Sequence, residues 1–112
     1  MAATVICLCA EWCTTCNAYR ATFDGAARGF GDARFLWIDI EDDAELMGSI
    51  DIENFPTLLI GTKGTPRFFG TLTPQPEILA RLLRAHLAAD DAPALVDPEI
   101  VALYARCAAI DR

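Results

Sequence analysis

Thr4-Val5-Ile6-Cys7-Leu8-Cys9-Ala10 runs directly into Glu11-Trp12-Cys13-Thr14-Thr15-Cys16, and this junction decides the fold. The first segment is apolar on both alternating faces, the pattern of a central strand in a sheet covered by helices on both sides. From Cys13 onward, Tyr19, Phe23, Ala26, Ala27 and Phe30 recur at spacings that suit one helix, ending near Gly29 or Gly31. A buried strand therefore stops, and a helix starts, at a pair of cysteines separated by two residues.

Arg34 to Ile40 reads as a second buried strand. Asp42, with Glu45 three residues later, has the form of a capping box opening a short helix through Ile50. Right-handed β-α-β connection then sets the first two strands side by side. Thr57 to Ile60 and Arg67 to Phe69 flank Thr62-Lys63-Gly64-Thr65, which is turn chemistry for an antiparallel hairpin. Pro76 opens a third helix whose Ile78, Leu79, Leu82, Leu83 and Leu87 share a face. A linker at Asp90-Asp91-Ala92-Pro93 leads to Asp97-Pro98, an N-cap and first-turn proline, and Ile100, Leu103, Tyr104 and Cys107 carry a last helix to about Ile110. The expectation is an α/β chain with a four-stranded mixed sheet, a core domain over 1–89, and a linker and appended helix over 90–112.

A chain of 112 residues fits one domain, and 54% hydrophobic residues with a mean hydropathy of +0.29 suffice for a packed core. The net charge of −7 argues against nucleic acid as a partner, since phosphate recognition needs a basic surface. Apolar runs are of strand length, so no membrane span is expected. The start Met1-Ala2-Ala3 lacks a basic segment of the signal-peptide kind, and a cytoplasmic location is expected. Five cysteines cannot all pair within one chain, which suits redox or metal chemistry better than a secreted disulfide scaffold.

Position gives the Cys13/Cys16 pair its chemistry. A thiolate at a helix N-terminus meets unsatisfied N–H groups and about half a positive elementary charge. Cys13, the more exposed, suits the nucleophile; Cys16, one turn in, suits the resolving thiol. Cys13 would attack a substrate disulfide, and Cys16 would then attack Cys13 to release the reduced substrate. A further thiol source must re-reduce the pair.

Ala10-Glu11-Trp12-Cys13-Thr14-Thr15-Cys16 resembles the active-site segment of the thioredoxin superfamily, and Phe55-Pro56-Thr57-Leu58-Leu59 resembles its proline loop. Gly70 stands where that family carries a glycine near its substrate patch, so the resemblance spans roughly residues 4 to 88. It implies a three-layer α/β/α thioredoxin-like fold, a cis bond before Pro56, and a docking surface of Trp12, Phe55, Pro56 and Gly70. A cis proline turns the chain sharply and leaves neighbouring backbone free to pair with an extended substrate. Three departures stand out. Thr14-Thr15 replaces the usual Gly-Pro; Cys7 occupies the place of the buried aspartate, with Phe35 replacing an accompanying lysine; and the N-terminal strand and helix of longer members are missing, with a C-terminal helix added.

Other readings compete at several positions. The cysteine pair could be half of a zinc site, but Cys7 and Cys9 lie within the strand, and recruiting them would require its end to unravel. Cys7 and Cys9 read as small buried hydrophobes, with Cys7 a possible modulator beneath the pair. Cys107 reads as packing, and His86 as a helix-end residue suited to the dipole. Glu41, Asp42 and Asp43 read as helix-capping and loop-solvating residues, and the final helix as a cover for apolar sheet surface. The function expected is thiol-disulfide oxidoreduction on protein substrates by Cys13 and Cys16, in a monomer without metal or cofactor, drawing on an unidentified reductant. The alternative is a binding or adaptor module with a vestigial dithiol.

Overall fold

The computed structural model describes residues 3–87 and 93–110. The expected linker at Asp90-Asp91-Ala92, the boundary at 89/90 and the side chain of Leu87 lie outside the described residues. Strand β1 (Ala3–Cys9) is followed by α1 (Thr14–Gly29), β2 (Ala33–Asp39), α2 (Ala44–Met47), β3 (Thr57–Thr62), β4 (Thr65–Thr71), α3 (Pro76–Leu87) and α4 (Pro98–Ala108). The sheet order is β2-β1-β3-β4, with β1 parallel to β2 and antiparallel to β3, and β3 antiparallel to β4. The apolar first strand is thus central, and the sheet is mixed as its patterning requires.

Alternation along the strands divides the core. Val5, Cys7 and Cys9 of β1 and Leu58 and Ile60 of β3 join Cys16, Tyr19 and Phe23 of α1 and Leu79 and Leu83 of α3 on one face. Ile6 and Leu8, with Leu36 and Ile38 of β2 and Leu59, pack against Met47, Leu103, Tyr104 and Cys107 on the other. Helices cover both faces, giving the three-layer α/β/α architecture. The hairpin closes through Lys63 and Gly64, both at positive φ, 54° and 76°, the geometry that matches the right-handed twist of the flanking strands.

Helix α2 departs from expectation. Asp43, not Asp42, occupies its N-cap, and the helix ends at Met47 because Gly48 turns the chain at φ 59°. The capping box is replaced by a turn in which Asp39 Oδ1 accepts from the N–H groups of Glu41 (2.8 Å) and Asp42 (3.1 Å).

Helix α4 is tied to the body by polar contacts as well as by its apolar face. Asp97 caps it by accepting from the Glu99 N–H at 2.9 Å. Arg106 Nε donates to the Leu46 carbonyl at 2.7 Å, Arg34 donates to the Ala108 carbonyl at 2.8 Å, and Ser49 hydrogen-bonds Glu99. The chain before it joins β4, where the Leu95 N–H donates to the Pro66 carbonyl at 2.9 Å. Among the described residues, no helix is long and apolar enough to cross a membrane.

His86 differs from its expected role. Its ring lies 5.5 Å from that of Phe68, its Nδ1 is buried without a partner, and burial lowers its pKa from 6.5. Desolvation favours the neutral ring there, the opposite of a charge that complements the helix dipole.

Candidate active site

The candidate site lies where β1 gives way to α1. Cys9 ends the strand, and the Cys13 N–H donates to the Ala10 carbonyl at 3.0 Å, closing the turn between them. Cys13 is the N-cap of α1 in an extended conformation (φ −85°, ψ 116°), and its carbonyl accepts the first helical bond, from Asn17 at 3.1 Å. The Asn17 side chain donates to the Glu11 carbonyl at 3.0 Å, bracing the same loop. Cys13 is partly exposed, whereas Cys16 is fully buried. The helix N-terminus therefore presents one sulfur near solvent and one beneath it.

Cys16 forms a disulfide with Cys9, across a Cα separation of 5.8 Å. Cys13 is a thiol packed against the cluster that contains both. The reading of Cys9 as packing alone is thereby corrected. As the last residue of β1, on the face toward α1, it meets the first inward-pointing position of that helix. Its parity with Cys7 and its place four residues before Cys13 were the sequence signals for this contact.

Cys7 lies deeper on the same face, its Sγ 3.6 Å from that of Cys9. Cys9 carries no proton in its disulfide, so the Cys7 S–H is the donor. Burial pushes the Cys7 thiol far above the ordinary thiol range, only partly offset by the charge of Arg20. Tyr19 is shifted upward as well, first by burial and then by Cys7, and its hydroxyl is buried without a partner. Phe35 stacks edge-on against Phe23 at 5.3 Å, so an apolar contact fills the space to which the resemblance assigned a lysine.

The other site candidates converge at this end of the sheet. The bond between Phe55 and Pro56 is cis. The Leu8–Thr57 pairing of β1 and β3 brings Pro56 beside Cys9, one residue beyond that pair. Trp12 packs edge-on against Phe55 with centroids 5.5 Å apart, yet is 64% exposed. Gly70 pairs with Leu58, and two residues on the Leu72 N–H donates to the Pro56 carbonyl at 3.2 Å. Phe55 and Pro56 thus lie at the end of the sheet where Trp12 packs, and Gly70 lies on β4 two residues before Leu72, which bonds to Pro56.

Arg20 lies 4.7 Å from the centroid of the Trp37 ring and contacts Asp24 at 3.6 Å. Oxygens of Glu11, Asp39 and Asp42 approach within 4.8 Å of one another. Asp39 already accepts two backbone bonds there, and nothing else in the cluster points to an ion.

A family model described as Thioredoxin matches residues 2–82. A thioredoxin of Mycoplasma genitalium is 28% identical over 58 residues, 52% of this chain and 57% of the relative. The chain thus spans a little over half the length of that curated relative. Among solved structures, thioredoxin from Trypanosoma brucei brucei aligns with a TM-score of 0.67 at 22% identity, covering 78% of this chain and 76% of that one. The germline-specific thioredoxin Deadhead of Drosophila melanogaster aligns with a TM-score of 0.66 at 20% identity, covering 75% and 80%. At these identities the structural likeness establishes the fold.

Proposed function

The chain belongs to the thioredoxin family, and from that premise we propose that it reduces or exchanges disulfides of protein substrates through Cys13 and Cys16. The observation that carries this reading is the partly exposed Cys13 at the N-cap of α1, packed against a buried Cys16 that already engages in disulfide chemistry. Cys13 stands at the helix N-terminus with its sulfur partly exposed, where a substrate disulfide reaches it before Cys16. It attacks one sulfur of the substrate disulfide, the other leaves as thiolate, and a mixed disulfide results. Cys16 thiolate then attacks Cys13 and expels the second substrate thiolate. Two electrons and two thiol protons pass to the substrate, and an external thiol reductant returns them.

Trp12, Phe55, Pro56 and Gly70 would dock an extended substrate segment beside Cys13. The edge-on contact of Trp12 with Phe55 supports this, as does the exposure of Trp12. A cytoplasmic setting is what we infer, supported by an odd number of cysteines that does not suit a fully paired secreted scaffold.

Replacing Cys13 with serine abolishes turnover on this reading, and Cys16→Ser accumulates a mixed disulfide with substrate. Full turnover by the Cys13 variant overturns it. The Cys9–Cys16 bond favours one other reading, an adaptor stapled by a buried disulfide. That reading requires no preferential alkylation of Cys13 below about pH 8.

A further inference from the structure

We propose that Cys9 is a second resolving thiol, which takes over Cys16 from Cys13 so that the oxidised protein rests with a buried Cys9–Cys16 disulfide and a regenerated Cys13 thiol. This rests on the function proposed above and extends it by one exchange. The first resolution yields Cys13–Cys16 and reduced substrate. Cys9 thiolate then attacks Cys16 Sγ; the Cys9–Cys16 bond forms, the Cys13–Cys16 bond breaks, and Cys13 leaves as thiolate. Overall, the protons and electrons of the Cys9 and Cys16 thiols pass to the substrate disulfide, and Cys13 ends as it began.

Three observations converge on this exchange. Cys9 and Cys16 are bonded, and their Cα separation of 5.8 Å lies within the span that a disulfide bridges without backbone movement. Cys13 packs against the cluster that holds both Cys9 and Cys16, and of the three it is the one exposed to solvent. The Cys7 thiol stands 3.6 Å from the Cys9 sulfur and keeps its proton because it is buried. It therefore offers a hydrogen-bond donor to Cys9 whenever that sulfur carries charge.

The arrangement has a chemical consequence. Cys9 and Cys16 are both fully buried, so no external thiol reaches their bond directly. Reduction must begin with Cys13 attacking Cys16, which returns the disulfide to the exposed pair and releases Cys9. Cys13 is then the gate through which electrons enter and leave, and an oxidised protein retains a surface thiol.

Peptide mapping tests this without altering the chain. The full-length protein is oxidised with oxidised glutathione, quenched in acid, alkylated and cleaved after Glu11 without reduction. That cut separates Cys7 and Cys9 from Cys13 and Cys16. The expected product is two disulfide-linked peptides with Cys13 alkylated, and Cys9→Ala converts it to a Cys13–Cys16 loop within the second peptide. Unlinked peptides from the wild type, with Cys13–Cys16 closed, overturn the proposal while leaving the oxidoreductase reading intact. In Cys13→Ser, reduction of the buried disulfide by glutathione is expected to slow by at least about tenfold, because exchange through Cys13 is lost. Equal rates overturn the gate. Linked peptides with undiminished turnover in Cys13→Ser instead overturn the assignment of Cys13 as nucleophile, and this inference with it.

Discussion

The Tyr104 ring of α4 packs directly on the α-carbon of Gly61 in β3, where an added Cβ would fall inside the ring's van der Waals envelope. Tyr104 is buried, and the contact seats α4 on the sheet face that also holds Leu8 and Leu59. Gly61 is therefore required by close approach, and the β3–β4 register shifts between Ile60 and this residue.

Gly61→Ala is expected to lower stability by about 1–3 kcal/mol through overpacking. Urea unfolding measures the loss. In a Tyr104→Ala background the same change should cost distinctly less, because the clashing ring is gone; additivity of the two changes would show that they do not meet.

Capping of α4 yields a second expectation. Asp97 accepts from the Glu99 N–H, and Asp97→Ala is expected to destabilise the chain by about 1 kcal/mol, with Asp97→Ser largely preserving stability. Equal midpoints for the alanine and wild-type chains in thermal unfolding would contradict it.

Trp12 contributes exposed aromatic surface beside Cys13 and touches the body through Phe55. Trp12→Ala should reduce kcat/KM for a protein disulfide by about tenfold, the scale of a lost aromatic anchor. Turnover of a small-molecule disulfide should change by less than about twofold, because it needs no docking surface. Parallel losses on both substrates would assign Trp12 to the thiol chemistry itself.

His86 makes stability depend on pH. Its folded pKa is depressed from 6.5, so the unfolded chain binds the proton more readily. The His86 contribution is intact above 6.5 and is lost as pH falls through the lower folded value. His86→Phe should therefore lose less stability than the wild type as pH is lowered from about 7.5 to about 5 in urea titrations.

Much of the fold was legible because local patterning and global packing agree. The doubly apolar run from Thr4 to Ala10 indicated a central strand, and the turn residues Lys63 and Gly64 adopt the positive φ that the hairpin requires. Asp97-Pro98 marked the start of α4 through a cap and a first-turn proline, both determined by neighbouring atoms. The reading failed at α2, where the Asp42-to-Glu45 spacing suggested a capping box, but Asp39 instead accepts from the N–H groups of Glu41 and Asp42 and the helix starts after Asp43.

Spacing also revealed the cysteine motif at the strand-helix junction, because periodicity and helix polarity are properties of a short stretch of chain. Which sulfur Cys16 meets depends on how α1 lies across β1, and that angle is set by Tyr19, Phe23, Leu79 and Leu83 packing together. Phe55 and Pro56 likewise come beside Trp12, and Gly70 beside Leu58, only once the β1–β3 and β3–β4 registers align distant segments. Local backbone preferences are written in adjacent residues, whereas the partner of Cys9 follows from the packing of elements that the chain brings together only on folding.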